Sequence, residues 1–175
     1  YDMGMILNIY TDAGSGEHND VWPKEWAVDY IRVWKSNEGY QKVTKEYNIQ
    51  NRQTGHYMYI DPDSTAVKYG PLTDENAAYA KWEKVKRGDY VLLKNCKTGE
   101  YLHIENLTGY VEHGEVPATW WSAQWTESEV DGYTRLINRW QPDYSIHTED
   151  YQWLIQYGNV PTTYWTSQWR FIPVS

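Results

Sequence analysis

Three acids stand at equal intervals of 44 residues in this chain: Asp61, Glu105 and Glu149. Nine residues beyond each comes a glycine, Gly70, Gly114 or Gly158, closing the short motifs VKYG, VEHG and IQYG. Aromatic residues follow: Trp120 and Trp121 after the second glycine, Tyr164 and Trp165 after the third, Tyr79 after the first. An ionised carboxylate accepts two hydroxyl hydrogens at once, and such charge-assisted bonds are about twice as strong as neutral ones. A flat aromatic plate supplies apolar area. Together they suit a ligand that is C–H-rich on its faces and ringed with hydroxyls at its edge, which describes a sugar. Glu105 with Glu149, or His103 with Glu105, could be cast as acid and base, but one acid copied three times points to equivalent binding sites rather than one asymmetric reaction centre.

The expected sites pair Glu105 with Trp121 or Trp120, and Glu149 with Trp165 or Tyr164. In an extended segment adjacent side chains point to opposite faces, so one ring of each pair should face the ligand; Trp121 and Trp165 are the choices. The competing structural reading makes these rings core and the acids surface partners of lysine. The first copy departs from the pattern, with Asp61 for glutamate, Tyr79 as its ring and one extra residue before Trp82, so a weaker or altered site is expected there. Tyr110 and Trp153 lie between acid and glycine, where they would extend the platform or form solvated loop rings. His103 and His147 stand two residues before their acids, placed either to orient them or simply to pack. Trp125 and Trp169, at matching positions near the end of each copy with Trp82, read as core.

The elements that must position these groups are strands. Helical periodicity is poor, and short runs of Tyr, Trp, Val and Ile recur between Gly, Asn, Asp and Pro clusters. The chain has 17 Tyr and 11 Trp but a single Phe, so nearly every ring joins an apolar body to a polar tip, which favours half-wet faces. Repeats of about 43 residues run over 47–85, 86–129 and 130–175, each opening with a tyrosine (Tyr47, Tyr90, Tyr133) followed by an asparagine (Asn51, Asn95, Asn138). Three four-stranded units are too few for a solenoid and close best into an all-β β-trefoil, whose closure removes sheet edges. A three-bladed propeller fits less well, since propellers have at least four blades. Upstream, residues 26–34 (WAVDYIRVW) read as a strand apolar on both faces, part of a remnant at 1–35, and the polar run 36–46 reads as a linker.

A net charge of −8 argues against nucleic acid, whose backbone is held by excess Lys and Arg. Most basic residues fall between Lys42 and Lys97, which leaves a local anion preference open. Cys96 stands alone, so stability must come from burial. No apolar run is long enough to span a membrane, residues 1–20 lack the features of a signal peptide, and a secreted parent would carry its signal upstream.

Residues 3–34 resemble the closing strands of a glycoside hydrolase family 16 jelly roll, whose last strand commonly reads apolar-Val-Asp-Tyr-apolar-Arg-Val-Trp/Tyr. That family's Glu-x-Asp-x-x-Glu signature is absent from this chain, so no catalytic residue is expected in it. Some members hold a calcium by this strand, which implies Asp29 as a ligand only with partners from upstream, and no metal or other cofactor is assigned. Residues 47–175 resemble carbohydrate-binding module family 92 through YLHIE at 101–105, VEHGEVPATWWSAQW at 111–125, IHTE at 146–149 and IQYGNVPTTYWTSQW at 155–169. The resemblance implies a β-trefoil with one glycan site per repeat around a glutamate and a tryptophan. Ricin-type lectins match less well, since their Gln-x-Trp is here Gln-Trp and their disulfides are missing. The expectation is a monomeric, secreted or cell-surface polysaccharide-binding module that holds an attached glycoside hydrolase to β-1,3- or β-1,6-glucan. Marine galactan (carrageenan or agar) is the alternative ligand, and a protein-interaction trefoil the remaining reading.

Overall fold

The computed structural model describes residues 45–149 and 152–174. The stretch 1–35, with its expected strand and Asp29, lies outside the described residues, as does nearly all of the 36–46 segment. The first strand begins at Glu46, the last residue of that segment. The first repeat forms β1 (Glu46–Asn51), β2 (Tyr57–Tyr59), β3 (Lys68–Gly70) and β4 (Lys81–Arg87). The second forms β5 (Tyr90–Asn95), β6 (Tyr101–His103), β7 (Glu112–Gly114) and β8 (Trp125–Val130). The third forms β9 (Tyr133–Asn138), β10 (Ser145–His147), β11 (Gln156–Gly158) and β12 (Trp169–Pro173).

The six longer strands close a barrel in the order β1, β4, β5, β8, β9, β12 and back to β1, every pair antiparallel. The shorter strands form three hairpins, β2–β3, β6–β7 and β10–β11. A ring of three backbone bonds ties the hairpins together: Val67 N–H to Val111 C=O at 2.8 Å, Val111 N–H to Ile155 C=O at 2.7 Å, and Ile155 N–H to Val67 C=O at 2.9 Å. That ring marks the pseudo-threefold axis of a β-trefoil, and it satisfies backbone groups that burial would otherwise leave without water. Fully buried Trp82, Trp125 and Trp169 fill the core. Each donates its indole N–H to a backbone carbonyl, of Met58 at 3.1 Å, Leu102 at 3.3 Å and Ile146 at 3.3 Å. A buried indole needs such a partner, and here every repeat supplies it at the same place.

The evenly spaced landmarks have local causes. A Cβ on Gly114 would lie 3.1 Å from Nε2 of His103, and one on Gly158 3.2 Å from Nε2 of His147. Gly70 faces the ring of Tyr59 in the same way, at 3.4 Å. Each glycine therefore makes room for a ring on the partner strand of its hairpin. The asparagines close turns: Oδ1 of Asn51 accepts the N–H groups of Gln53 and Thr54, that of Asn95 those of Lys97 and Thr98, and that of Asn138 those of Trp140 and Gln141. These are Asx-type turns, in which the side chain stands in for a backbone acceptor.

Candidate functional site

Each asparagine also reaches out of its own repeat. Asn138 Nδ2 donates to the carbonyl of Ser122 at 2.9 Å, Asn51 Nδ2 to that of Thr166 at 2.8 Å, and Asn95 Nδ2 to that of Tyr79 at 2.8 Å. The residue after each asparagine adds a second bond across the same seam, Arg139 N–H to Gln124, Arg52 N–H to Gln168 and Cys96 N–H to Lys81. Every candidate site is thus composite. The acid and ring come from one repeat, and the wall beside them from the next.

Trp121 and Trp165 each open a short 3-10 turn, Trp121–Ala123 and Trp165–Ser167, after an extended residue, Trp120 or Tyr164. The strand alternation expected for these pairs does not apply, because the chain coils at the second ring. Both members of each pair are consequently exposed, with Trp121 at 54% and Trp165 at 50%. Trp120 and Tyr164 thus face solvent as well as Trp121 and Trp165. These four rings are not core.

Beneath the two indoles lie stacked cations. The Arg139 guanidinium sits 4.2 Å from the Trp121 ring and 4.2 Å from that of Tyr90; Arg52 sits 4.2 Å from Trp165 and 4.5 Å from Tyr133. Each arginine is steered by a buried glutamine, Arg139 donating to Gln124 Oε1 at 2.6 Å and Arg52 to Gln168 Oε1 at 2.5 Å. The glutamines in turn donate to loop carbonyls of Ala118 and Thr162. The Gln-Trp pairs therefore divide their labour: the tryptophan packs the core while the glutamine holds the arginine under the exposed plate. Sequence reasoning singled out neither arginine, although both directly follow the repeated asparagines.

Glu149 and Glu105 are half-buried. Glu149 accepts the hydroxyl of Thr166, and a cleft of about 310 Å³ is lined by Glu149, Trp165, Thr166, Tyr164, Thr163 and Gln53. The structure thus brings together acid and indole of the third repeat with Gln53 from the first. At the second-repeat site Ser122 takes the place of Thr166, and its buried Oγ has no hydrogen-bond partner among the described residues. His103 and His147 do orient the acids, but through the main chain: Nδ1 of each accepts the backbone N–H of Glu105 at 3.2 Å or Glu149 at 3.4 Å. Burial pushes the His103 imidazole below its ordinary value, which suits an acceptor nitrogen.

The first repeat differs at the acid, the plate and the arginine. Asp61 is bonded to Lys68 and accepts Asp63 N–H at 3.0 Å; the Lys68 bond is the leading reason its carboxyl lies below the usual range. Tyr79, expected as the ring of this site, occupies the position of Ser122 and Thr166, as its carbonyl bond to Asn95 demonstrates, and packs against the core. The plate position is held by exposed Ala78, and Cys96 replaces the arginine. The extra residue before Trp82 leaves the barrel register intact, and Tyr79 stands three residues before its core tryptophan where Trp121 and Trp165 stand four before theirs.

Tyr110 and Trp153 belong to the hairpin cap. Tyr110 pairs with Gln156, and Trp153 lies against His56 and Tyr69 of the first repeat, at ring distances of 5.3 and 5.8 Å. Trp153 adopts φ of +64° where the second repeat has Gly109.

No family model matches the chain, and a search of curated proteins found no match. Solved structures do match. A GlcNAcα1-4Gal-releasing endo-β-galactosidase from Clostridium perfringens is 63% identical with a TM-score of 0.75, over 94% of this chain and 41% of that one. The chain thus spans about two fifths of that relative's length. A designed threefold-symmetric protein, ThreeFoil, matches with 18% identity and a TM-score of 0.65, over 74% of this chain and 99% of the design. An exo-β-1,3-galactanase from Clostridium thermocellum matches with 18% identity and a TM-score of 0.63, over 77% of this chain and 31% of its own. The last two likenesses concern the fold alone.

Proposed function

We propose that this chain is a non-catalytic glycan-binding module with two working sites, Glu105–Trp121 and Glu149–Trp165, that holds an attached glycoside hydrolase on a galactose-containing polysaccharide. One observation carries the reading: a half-buried carboxylate and an exposed indole share a cleft at the third repeat, the indole backed by a stacked guanidinium. A guanidinium on one face leaves the other for a sugar, and a plate already held in place loses little freedom on binding. Galactose is favoured over other hexoses by the 63% identity to an endo-β-galactosidase. The resemblances of 3–34 to family 16 hydrolases and of 47–175 to carbohydrate-binding module family 92 support attachment to such an enzyme. Trp120, Tyr164, Tyr110 and Trp153 would extend the contact, while Asp61, already paired with Lys68, leaves the first repeat weak. Two sites on one module gain by effective concentration when the ligand is a long chain.

The β-glucan ligand remains the second reading, favoured by the acidic residues of both sites. Affinity electrophoresis against β-1,3-galactan, agarose, κ-carrageenan, laminarin and pustulan separates them. Retardation by a galactose polymer, abolished in the double variant Glu105→Ala/Glu149→Ala, is expected. Retardation by laminarin or pustulan alone transfers the proposal to glucan, and retardation by none of the polymers, or unchanged in the double variant, overturns it.

A further inference from the structure

The two working sites share acid, indole plate and arginine, and differ, beyond Ser122 for Thr166 and Trp120 for Tyr164, in the residue that their neighbouring repeat turns toward them. In the third-repeat site that residue is Gln53, which lines the cleft with Glu149 and Trp165. Its place is set by the Asn51 turn, where Oδ1 accepts the Gln53 N–H at 3.1 Å while Nδ2 is tied to Thr166. At the second-repeat site the same bonds recur, Asn138 Oδ1 accepting the Trp140 N–H at 2.9 Å and Nδ2 tied to Ser122. The intervening arginine repeats its stacking distance of 4.2 Å on the site indole. Equal turns, equal ties and equal arginine placement bring residue 140 to the side of the Glu105–Trp121 pair that residue 53 occupies beside Glu149 and Trp165. Residue 140 is a tryptophan, 39% exposed.

We infer that Trp140 is a second sugar-stacking plate of the Glu105 site, so that this site grips two or more consecutive sugars within a chain while the Glu149 site, walled by the Gln53 amide, takes a single unit. The inference rests on the glycan-binding reading and deepens it. A second indole adds apolar area for a neighbouring pyranose face, whereas an amide adds hydrogen-bond directionality to one ring. The module would then hold a polysaccharide along its length at one seam and meet a single or terminal residue at another. The third seam, with Lys97 at the matching turn position and Ala78 at the plate, offers neither.

The test isolates each site in the full chain and varies ligand length, with galactose, β-1,3-galactobiose and β-1,3-galactotriose as probes followed by tryptophan fluorescence and calorimetry. In Glu149→Ala, which leaves the Glu105 site, affinity should rise about tenfold from monosaccharide to trisaccharide, as one further well-made contact would give. Adding Trp140→Gln should flatten that rise. In Glu105→Ala the dependence on length should be flat, and adding Gln53→Trp should create it, so the proposal does not hang on one variant's folding. Equal affinity for every length in Glu149→Ala, or a length dependence that survives Trp140→Gln, overturns the inference and leaves the glycan-binding reading standing. Failure of the unmodified chain to bind any of the three probes sinks the galactose reading, and this inference falls with it.

Discussion

A carboxylate and an indole would make a sugar site only if both are held still, and in the two proposed sites an arginine holds the indole. Arg139 sits between Tyr90 and Trp121, and Arg52 between Tyr133 and Trp165. A cation over an aromatic face contributes about 0.5–2 kcal/mol, more as water is excluded. Replacing Arg139 by alanine would release the Trp121 ring into many rotamers and free Gln124 from its bond. We expect Arg139→Ala to weaken glycan binding at the Glu105 site several-fold, to about tenfold, and to cost about 1–3 kcal/mol of stability because the buried Gln124 Oε1 loses its donor. Arg139→Lys should recover part of the loss, keeping charge but not the planar fork that bonds Gln124. Titration of the Glu149→Ala background by fluorescence reads both effects, and an Arg139→Ala affinity equal to that of the parent would refute this role.

At the scale of elements, the hairpins position the acids by pressing a ring against a glycine. In β6–β7 the ring is His103, wedged against Gly114, with Nδ1 holding the backbone of Glu105. Burial lowers its proton affinity, against the pull of the nearby Glu112 carboxylate in the opposite direction. The unfolded chain takes up this proton near the ordinary value of 6.5, while the folded chain accepts it only at lower pH. The unfolded state therefore binds more protons in between, and stability must fall as pH drops below that value, levelling once both states are protonated. Thermal unfolding from about pH 8 to about pH 5 should show this decline, and His103→Gln should flatten it. A profile unchanged by the substitution would mean that other groups dominate acid sensitivity.

At the scale of the molecule, closure of the barrel is what completes the third-repeat site. Strand β12 pairs with β1, and the Asn51 side chain bonds Thr166 across that joint, so the Glu149 cleft is assembled from the two ends of the trefoil. Asn51→Ala removes one buried donor and an acceptor shared by two turn N–H groups, and leaves a carbonyl orphaned. The expected cost is about 2–3 kcal/mol of stability, readable by urea unfolding, together with weakened binding at Glu149 and unaltered binding at Glu105. Loss at both sites in equal measure would show that the seams act as one body and not separately.

What the amino-acid order determined by itself was everything periodic. Glycines, asparagines and core tryptophans recur at nearly one spacing because each does the same local work in each repeat, and an all-β threefold barrel with an acid at the same place in each repeat follows from that recurrence. The exposed pair Trp121 and Trp165 was also within reach, since the core already had its tryptophans in Trp82, Trp125 and Trp169. Only the tertiary structure decided how the repeats share their sites. Arg52 stacks on a ring 113 positions away in the chain, Trp165, and no local pattern couples residues that closure alone brings together. The coiling that exposes Trp120 beside Trp121 was likewise invisible. It depends on where the barrel requires the next strand to begin, a constraint imposed by packing across seams and not by any residue's own preference.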